Sequence, residues 1–275
     1  MLSAKGEGAK CRRVIAKLLR TKTDPDSQVA LRHAASLNAI NEGDFEKANR
    51  LLREVEAFLP DTTHEAEHRI RWFHQKSMVK LAEGKYKKGI VLVEEALPLL
   101  DRVAPGCMTA WMLINRAWFL TEIAAEQDDD DDRRFLMKTA ERDYQHAIEH
   151  AENEDPKQMR HFQLRVPRFA KIGLALLYLG CIESVDNFKL GVSKVSLDDL
   201  RKAKDVIGAL DQEGNVCYSG QFRFMMAKTF MHYRLGSYQQ ALDLAQEAKD
   251  FATEHSFGAY ANFAGGTVQY LQEYI

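Results

Sequence analysis

His64-Glu65-Ala66-Glu67-His68 satisfies the spacing H-E-x-x-H. On a helix that spacing sets two imidazoles one turn apart, beside a carboxylate able to activate zinc-bound water. Pro60 precedes the motif, and Thr62 and Thr63 are the expected helix caps, so it falls in an exposed first turn rather than on a cleft floor. Glu67 also stands where a zinc-binding helix wants an apolar residue. His146 and His150 are again one turn apart, with no cysteine nearby to complete a metal shell, and read as solvated helix histidines. The run Asp128 to Asp132 lacks the glycine and spaced oxygens of a calcium loop and is expected to be a self-repelling loop. No phosphate loop, nucleophile elbow or Cys/His signature occurs, and Cys11, Cys107, Cys181 and Cys217 are too far apart for C-x-x-C. The cysteines read as reduced core residues. The chain is expected to bind rather than catalyse, with no catalytic residue, metal or cofactor.

Two basic stretches could bind nucleic acid. Arg69 to Lys88 holds seven Lys or Arg against Glu83 alone, interleaved with Trp72, Phe73 and Tyr86. Lys157 to Lys171 carries Lys157, Arg160, Arg165, Arg168 and Lys171 with no acid before Glu183. Cations beside aromatic faces can neutralise phosphates and stack bases. An RNA-binding alternative therefore rests on Arg69, Arg71, Lys76, Lys80, Arg165, Arg168 and Lys171. The blander reading has the cations in solvent and the aromatics in the core.

These side chains must be positioned by helices. Six prolines and sixteen glycines in 275 residues are too few for a loop-rich β-sandwich, and Ala, Leu, Glu, Lys and Arg are abundant. With 38 basic and 40 acidic residues, the formal charge of -2 provides no global field toward nucleic acid or lipid. The opening Met1 to Gly8 lacks the apolar run of a secretory signal. The apolar run Gly173 to Ile182 is about half the roughly 20 residues that a membrane helix needs. A cytoplasmic protein without membrane contact is expected.

One phrase recurs: Gly43-Asp44-Phe45-Glu46-Lys47-Ala48, Gly84-Lys85-Tyr86-Lys87-Lys88-Gly89 and Gly236-Ser237-Tyr238-Gln239-Gln240-Ala241. A turn glycine followed by a small residue in the next helix matches the second half of a tetratricopeptide unit. Two degenerate copies centre on Ala140 and Ala203, and Gly180 falls on a further turn glycine. The reading is all-α, a right-handed superhelical solenoid of antiparallel helix pairs in about five irregular repeats plus terminal helices. The spans are 9–20 for an N-terminal helix; 27–60, 62–101, 107–153, 159–211 and 218–254 for the repeats; and 257–275 for a C-terminal helix. Repeat spacings exceed the usual roughly 34 residues, so insertions are expected at Asp128 to Asp132 and at Glu183 to Val195.

The irregular repeats, with Lys171-Ile172-Gly173-Leu174-Ala175, an insertion, and then Ser196-Leu197-Asp198-Asp199-Leu200-Arg201-Lys202-Ala203, resemble the N-terminal part of the interferon-induced proteins with tetratricopeptide repeats. The resemblance spans roughly Gln28 to Thr253. It implies a cytosolic innate-immune protein; some members bind the 5′ end of RNA in a basic tunnel and others act through protein partners. The RNA-binding members carry an arginine where this chain has Gly180. The Arg and Tyr cluster expected later has no arginine within Tyr260 to Tyr270. RNA-end recognition is therefore not carried over.

Since helix A lines the groove in such repeats, the partner surface is expected at His33, Leu37 and Asn41; at Arg71, His74 and Met78; at Leu174, Leu177 and Tyr178; and at Arg223, Met226, Phe230 and Tyr233. This mixture suits an amphipathic helix or extended segment of a partner protein.

Overall fold

The computed structural model describes residues 8–153, 160–183, 188–190, 195–214, 218–255 and 257–275. Met1 to Glu7, Lys157, Cys217 and the side chains of Asn41 and Arg160 lie outside the described residues.

Among the described residues the chain is built from twelve α-helices: α1 (Gly8–Thr21), α2 (Pro25–Asn41), α3 (Phe45–Phe58), α4 (Glu65–Ala82), α5 (Tyr86–Leu100), α6 (Cys107–Ala125), α7 (Asp130–Glu152), α8 (Arg160–Tyr178), α9 (Leu197–Glu213), α10 (Tyr218–Arg234), α11 (Tyr238–Glu254) and α12 (Gly258–Gln272). One departure from the helical expectation lies in the insertion after α8. There β1 (Cys181–Glu183) pairs antiparallel with β2 (Phe188–Leu190), Ile182 facing Lys189.

The predicted turn glycines stop the first helices of four pairs. Gly43, Gly84, Gly180 and Gly236 have φ of 77°, 66°, 62° and 75°, a left-handed conformation that a Cβ disfavours. In three of these pairs the N–H three residues past the helix also donates to a carbonyl in its last turn. Asp44 N–H bonds Ala39 O at 2.9 Å, Lys85 N–H bonds Lys80 O at 2.9 Å, and Ser237 N–H bonds His232 O at 2.9 Å. Asp24, Asp44 and Ser196 cap α2, α3 and α9 through side-chain oxygens.

Two local expectations are corrected. The aspartate run is not a loop: Asp129 caps α7, and Asp130, Asp131 and Asp132 form its first turn. Free N–H groups and the positive end of the helix dipole favour acids there. Nor do Thr62 and Thr63 cap α4. His64 occupies the cap position, and Asp26 from α2 accepts the Thr63 and His64 backbone N–H groups at 3.1 and 3.3 Å.

Helices pack in consecutive pairs, α2 with α3 through α10 with α11, and each first helix (α2, α4, α6, α8, α10) also touches the next first helix. Successive second helices share no comparable contact. The first helices thus form one continuous row. Ala48, Ala140, Ala203 and Ala241 are fully buried on the second helices, Ala48 and Ala241 in the first turn and Ala140 and Ala203 further along, and Gly89 is buried in the first turn of α5. A Cβ on Gly89 would lie 2.1 Å from a Phe119 ring carbon, and one on Gly173 would lie 2.4 Å from the Tyr144 ring. Close approach is therefore required at both.

Overpacking of a close contact costs about 1–3 kcal/mol, whereas replacing an unencumbered helical glycine by alanine gains up to about 1 kcal/mol. Gly89→Ala is expected to lower the melting temperature. Gly208→Ala, whose Cβ would meet nothing within 4 Å, should leave it unchanged or raise it. Thermal unfolding of the two variants checks this packing.

Candidate functional site

The row of first helices carries a run of cations and aromatic rings. At its start, α2 and α4 are tied by a reciprocal pair. Gln75 donates its amide to the His33 carbonyl oxygen at 2.9 Å, and its Oε1 lies 3.0 Å from His33 Nδ1. The His33 ring stacks on His68 with centroids 6.0 Å apart, and His68 Nε2 lies 3.3 Å from Asp26 Oδ1. Arg71 follows on the same face of α4, then His74, whose ring is 5.5 Å from Trp111 of α6. Trp111 meets Phe169 of α8 at 5.2 Å, and Arg165 lies over both rings at 5.9 and 5.3 Å. Arg223 of α10 closes the run, 4.1 Å over Trp118 and 5.2 Å over Phe169. Contacts of this kind anchor cations to ring faces.

The electrostatics follow from burial. Loss of water, reinforced by the Arg71 charge, holds the His33 and His74 imidazoles down to about 3. His68 is lowered by burial and by Arg71, against the pull of Asp26. Asp26 is brought down to about 2, chiefly by the Thr63 backbone N–H. Burial also lowers Arg71.

The expected partner residues divide into two sets. His33, Arg71, His74 and Arg223 belong to this run, in which His33, His74 and Arg223 are themselves buried. Leu37 and Met78 are partly buried beside it. Leu174, Leu177, Met226 and Phe230 are instead core residues, buried against neighbouring helices. Tyr178 gives its hydroxyl to Glu141 at 2.6 Å. Tyr233 joins Tyr270 and Tyr274 in a cluster of phenols, with hydroxyls 3.1 and 3.4 Å away. The run also includes Trp111, Trp118, Arg165 and Phe169, which the groove reading omitted. The two tryptophans are two turns apart on one helix, and that was the available signal.

Most cations of the RNA alternative have internal partners. Arg69 pairs with Glu65 at 2.6 Å, Lys80 with Glu83 at 2.7 Å and Lys171 with Glu213 at 2.6 Å. Lys76 lies 3.9 Å over the Trp72 ring. Arg168 is 2% exposed and donates to the Leu210 carbonyl oxygen at 2.8 Å. Arg71 and Arg165 have no ion pair among the described residues.

In H-E-x-x-H, His64 is exposed while His68 is buried and turned to Asp26. His146 is exposed, but His150 is partly buried and bonds Thr109 at 2.9 Å, so only the former is a solvated histidine. Among the described residues no group of three or more His, Cys, Asp or Glu could hold a metal ion, and no helix is long and apolar enough to cross a membrane. Cys11, Cys107 and Cys181 are free thiols, the last two buried. Compared with known protein families and with curated proteins, the sequence matches none.

A depressed histidine pKa makes stability depend on pH. Between about 6.5 and about 3 the unfolded chain binds the proton that folded His74 refuses, so this contribution is whole above pH 6.5 and shrinks as pH falls. Asp143 works in the opposite sense, burial raising it to about 6, so the wild-type curve alone is a mixture. The difference between wild type and His74→Gln isolates the imidazole. It should move by about 2 kcal/mol against the wild type from pH 7 to pH 5, read by urea denaturation at both values.

Proposed function

We propose that this chain is a tetratricopeptide-type scaffold, a right-handed superhelix that holds a segment of a partner protein along its first helices. The observation that carries the reading is the row of five first helices in mutual contact, on which Arg71, Trp111, Trp118 and Arg165 remain partly exposed. First helices that touch one another, beside second helices that do not, support a curve with the first helices inside. The partly exposed Arg71, Trp111, Trp118 and Arg165 offer a partner both apolar anchors and hydrogen-bond donors, the composition of strong interface positions, while His33, His74, Phe169 and Arg223 are buried within the fold. The resemblance to the interferon-induced proteins with tetratricopeptide repeats supports a cytoplasmic adaptor in innate immunity. RNA is the weaker reading, because Arg69, Lys80, Arg168 and Lys171 are already engaged within the chain.

Selection of a displayed random-peptide library on the purified chain tests this. Enriched peptides are expected to lose at least about tenfold in affinity, or 1.4 kcal/mol, with Trp111→Ala or Arg165→Glu. The exposed second-helix variant Arg50→Glu should bind them unchanged. A selection that enriches nothing, together with single-stranded RNA bound near physiological salt, sinks the proposal in favour of nucleic acid.

A further inference from the structure

α1 packs on α2 with Ile15 buried, and the face opposite Ile15 is exposed. From Gly8 to Lys22 the chain holds six Lys or Arg and no Asp or Glu. Lys10, Arg13, Lys17 and Arg20 are all exposed and fall at i, i+3, i+7 and i+10. That spacing puts them in one stripe on the exposed face, about 15 Å long at about 1.5 Å per residue. Arg12 turns back to Glu42, whereas Arg13, Lys17 and Arg20 have no ion pair among the described residues. Like charges at this spacing on one helix repel one another.

A complement lies on α11, in the last of the five pairs. Asp243, Glu247, Asp250 and Glu254 are exposed and fall at i, i+4, i+7 and i+11, opposite the buried Ala241, Ala245, Ala248 and Ala252. Their stripe is about 16 Å long. Gln239 and Gln246 donate amide N–H groups to Asp243 and Asp250 at 2.8 Å, and a neutral amide cancels no charge. None of the four acids has an ion pair among the described residues. Second helices between the two mix signs on their exposed faces, as α3 does with Arg53 and Glu56 and α9 with Arg201 and Asp205. Within one chain the stripes do not meet, because α1 packs on α2 while α11 packs on α10 and α12.

We infer that α11 of a second copy docks on α1, joining chains head to tail. The two stripes match in length and oppose in sign, and a net charge of -2 sets up little repulsion between copies. A bilayer fits α1 less well, because the apolar face that would enter it is already docked on α2. Nucleic acid also fits less well, because α1 has no aromatic ring to stack on a base. Contacts between two different surfaces build rings or open chains. Both stripes lie off the first-helix row, so joined copies present several rows side by side, and the inference does not depend on what a row binds.

Exposed ion pairs are screened by salt, so sedimentation velocity of the full chain at about 0.1 mM should show association at about 0.02 M salt and monomer at about 0.5 M. Arg13→Glu with Lys17→Glu, and separately Glu247→Lys with Asp250→Lys, should each give a monomer at the lower salt with an unchanged helical circular-dichroism spectrum. Mixed one to one, the two variants should associate again, since each then meets opposite charge. That recovery distinguishes pairing of the two stripes from a general effect of charge. Should a variant fail to fold, Arg13→Gln with Lys17→Gln, or Glu247→Gln with Asp250→Gln, takes its place, and loss of association in it still supports the contact. Wild type that is monomeric at both salts, association that persists in either variant, or a mixture that stays monomeric overturns the inference. Duplex RNA or phosphatidylserine vesicles bound by a monomeric wild type, and lost with Arg13→Glu and Lys17→Glu, would give the α1 stripe to a phosphate-bearing partner instead.

Discussion

Each helix pair carries an apolar face that it cannot cover alone, and the close contact between one pair and the next sets the geometry of everything else. Gly89 lies against Phe119 of the following pair, and Gly173 lies against Tyr144 of the preceding helix, at separations that leave no room for a Cβ. Such contact requires small residues at fixed places, which is why Ala48, Ala140, Ala203 and Ala241 share the burial of Gly89. With that spacing set, first helices meet directly, and side chains far apart in sequence, such as His74, Trp111 and Phe169, become neighbours.

Apolar contact fixes distance but not register, and polar ties between elements supply the rest. Gln75 binds the His33 carbonyl oxygen, and Asn115 donates to the His74 carbonyl oxygen at 3.2 Å and to Ser77 Oγ at 2.9 Å. Arg234 reaches the Leu179 carbonyl oxygen at 2.9 Å, linking α10 to the end of α8. A one-turn slip between first helices would break these bonds and leave buried polar groups unpaired, at about 1–3 kcal/mol for each. The polar seam thus disfavours alternative stackings as well as stabilising the native one.

The repeat was legible because its signals are local. Gly43, Gly84, Gly180 and Gly236 need only their own backbone conformation to end a helix, and all four have positive φ. The aspartate run was misread because charge repulsion was weighed without the helix N-terminus that Asp129 creates. Which first-helix residues stay exposed was only partly legible for a related reason. A first helix packs on its own partner and on both neighbouring pairs, so apolar residues surround most of its circumference and periodicity no longer points to one open side. Leu174, Leu177, Met226 and Phe230 look like apolar anchors in sequence, yet neighbouring helices occupy them. The pairing of Asp26 with the start of α4, which joins residues in different helix pairs, has no local signature at all.

Positive charges in the chain are held in two ways. Lys80, Arg116 and Lys171 each lie against a carboxylate of the same chain, Arg116 being 3.1 Å from Glu94. All three stand on first helices, and the same helices hold other cations differently. Arg165 faces aromatic rings instead of acids, and Arg71 is placed among neutral imidazoles. Rings attract a cation without neutralising it, so Arg165 keeps its charge, whereas Arg71 has the acid Glu67 acting on it from one turn upstream. Partial burial strengthens the field of Arg165 by removing competing water. Cations of the first helices thus meet acids where they reach the second helices, as at Glu94 of α5 and Glu213 of α9, and ring faces where they meet a neighbouring first helix, as Arg165 meets Trp111.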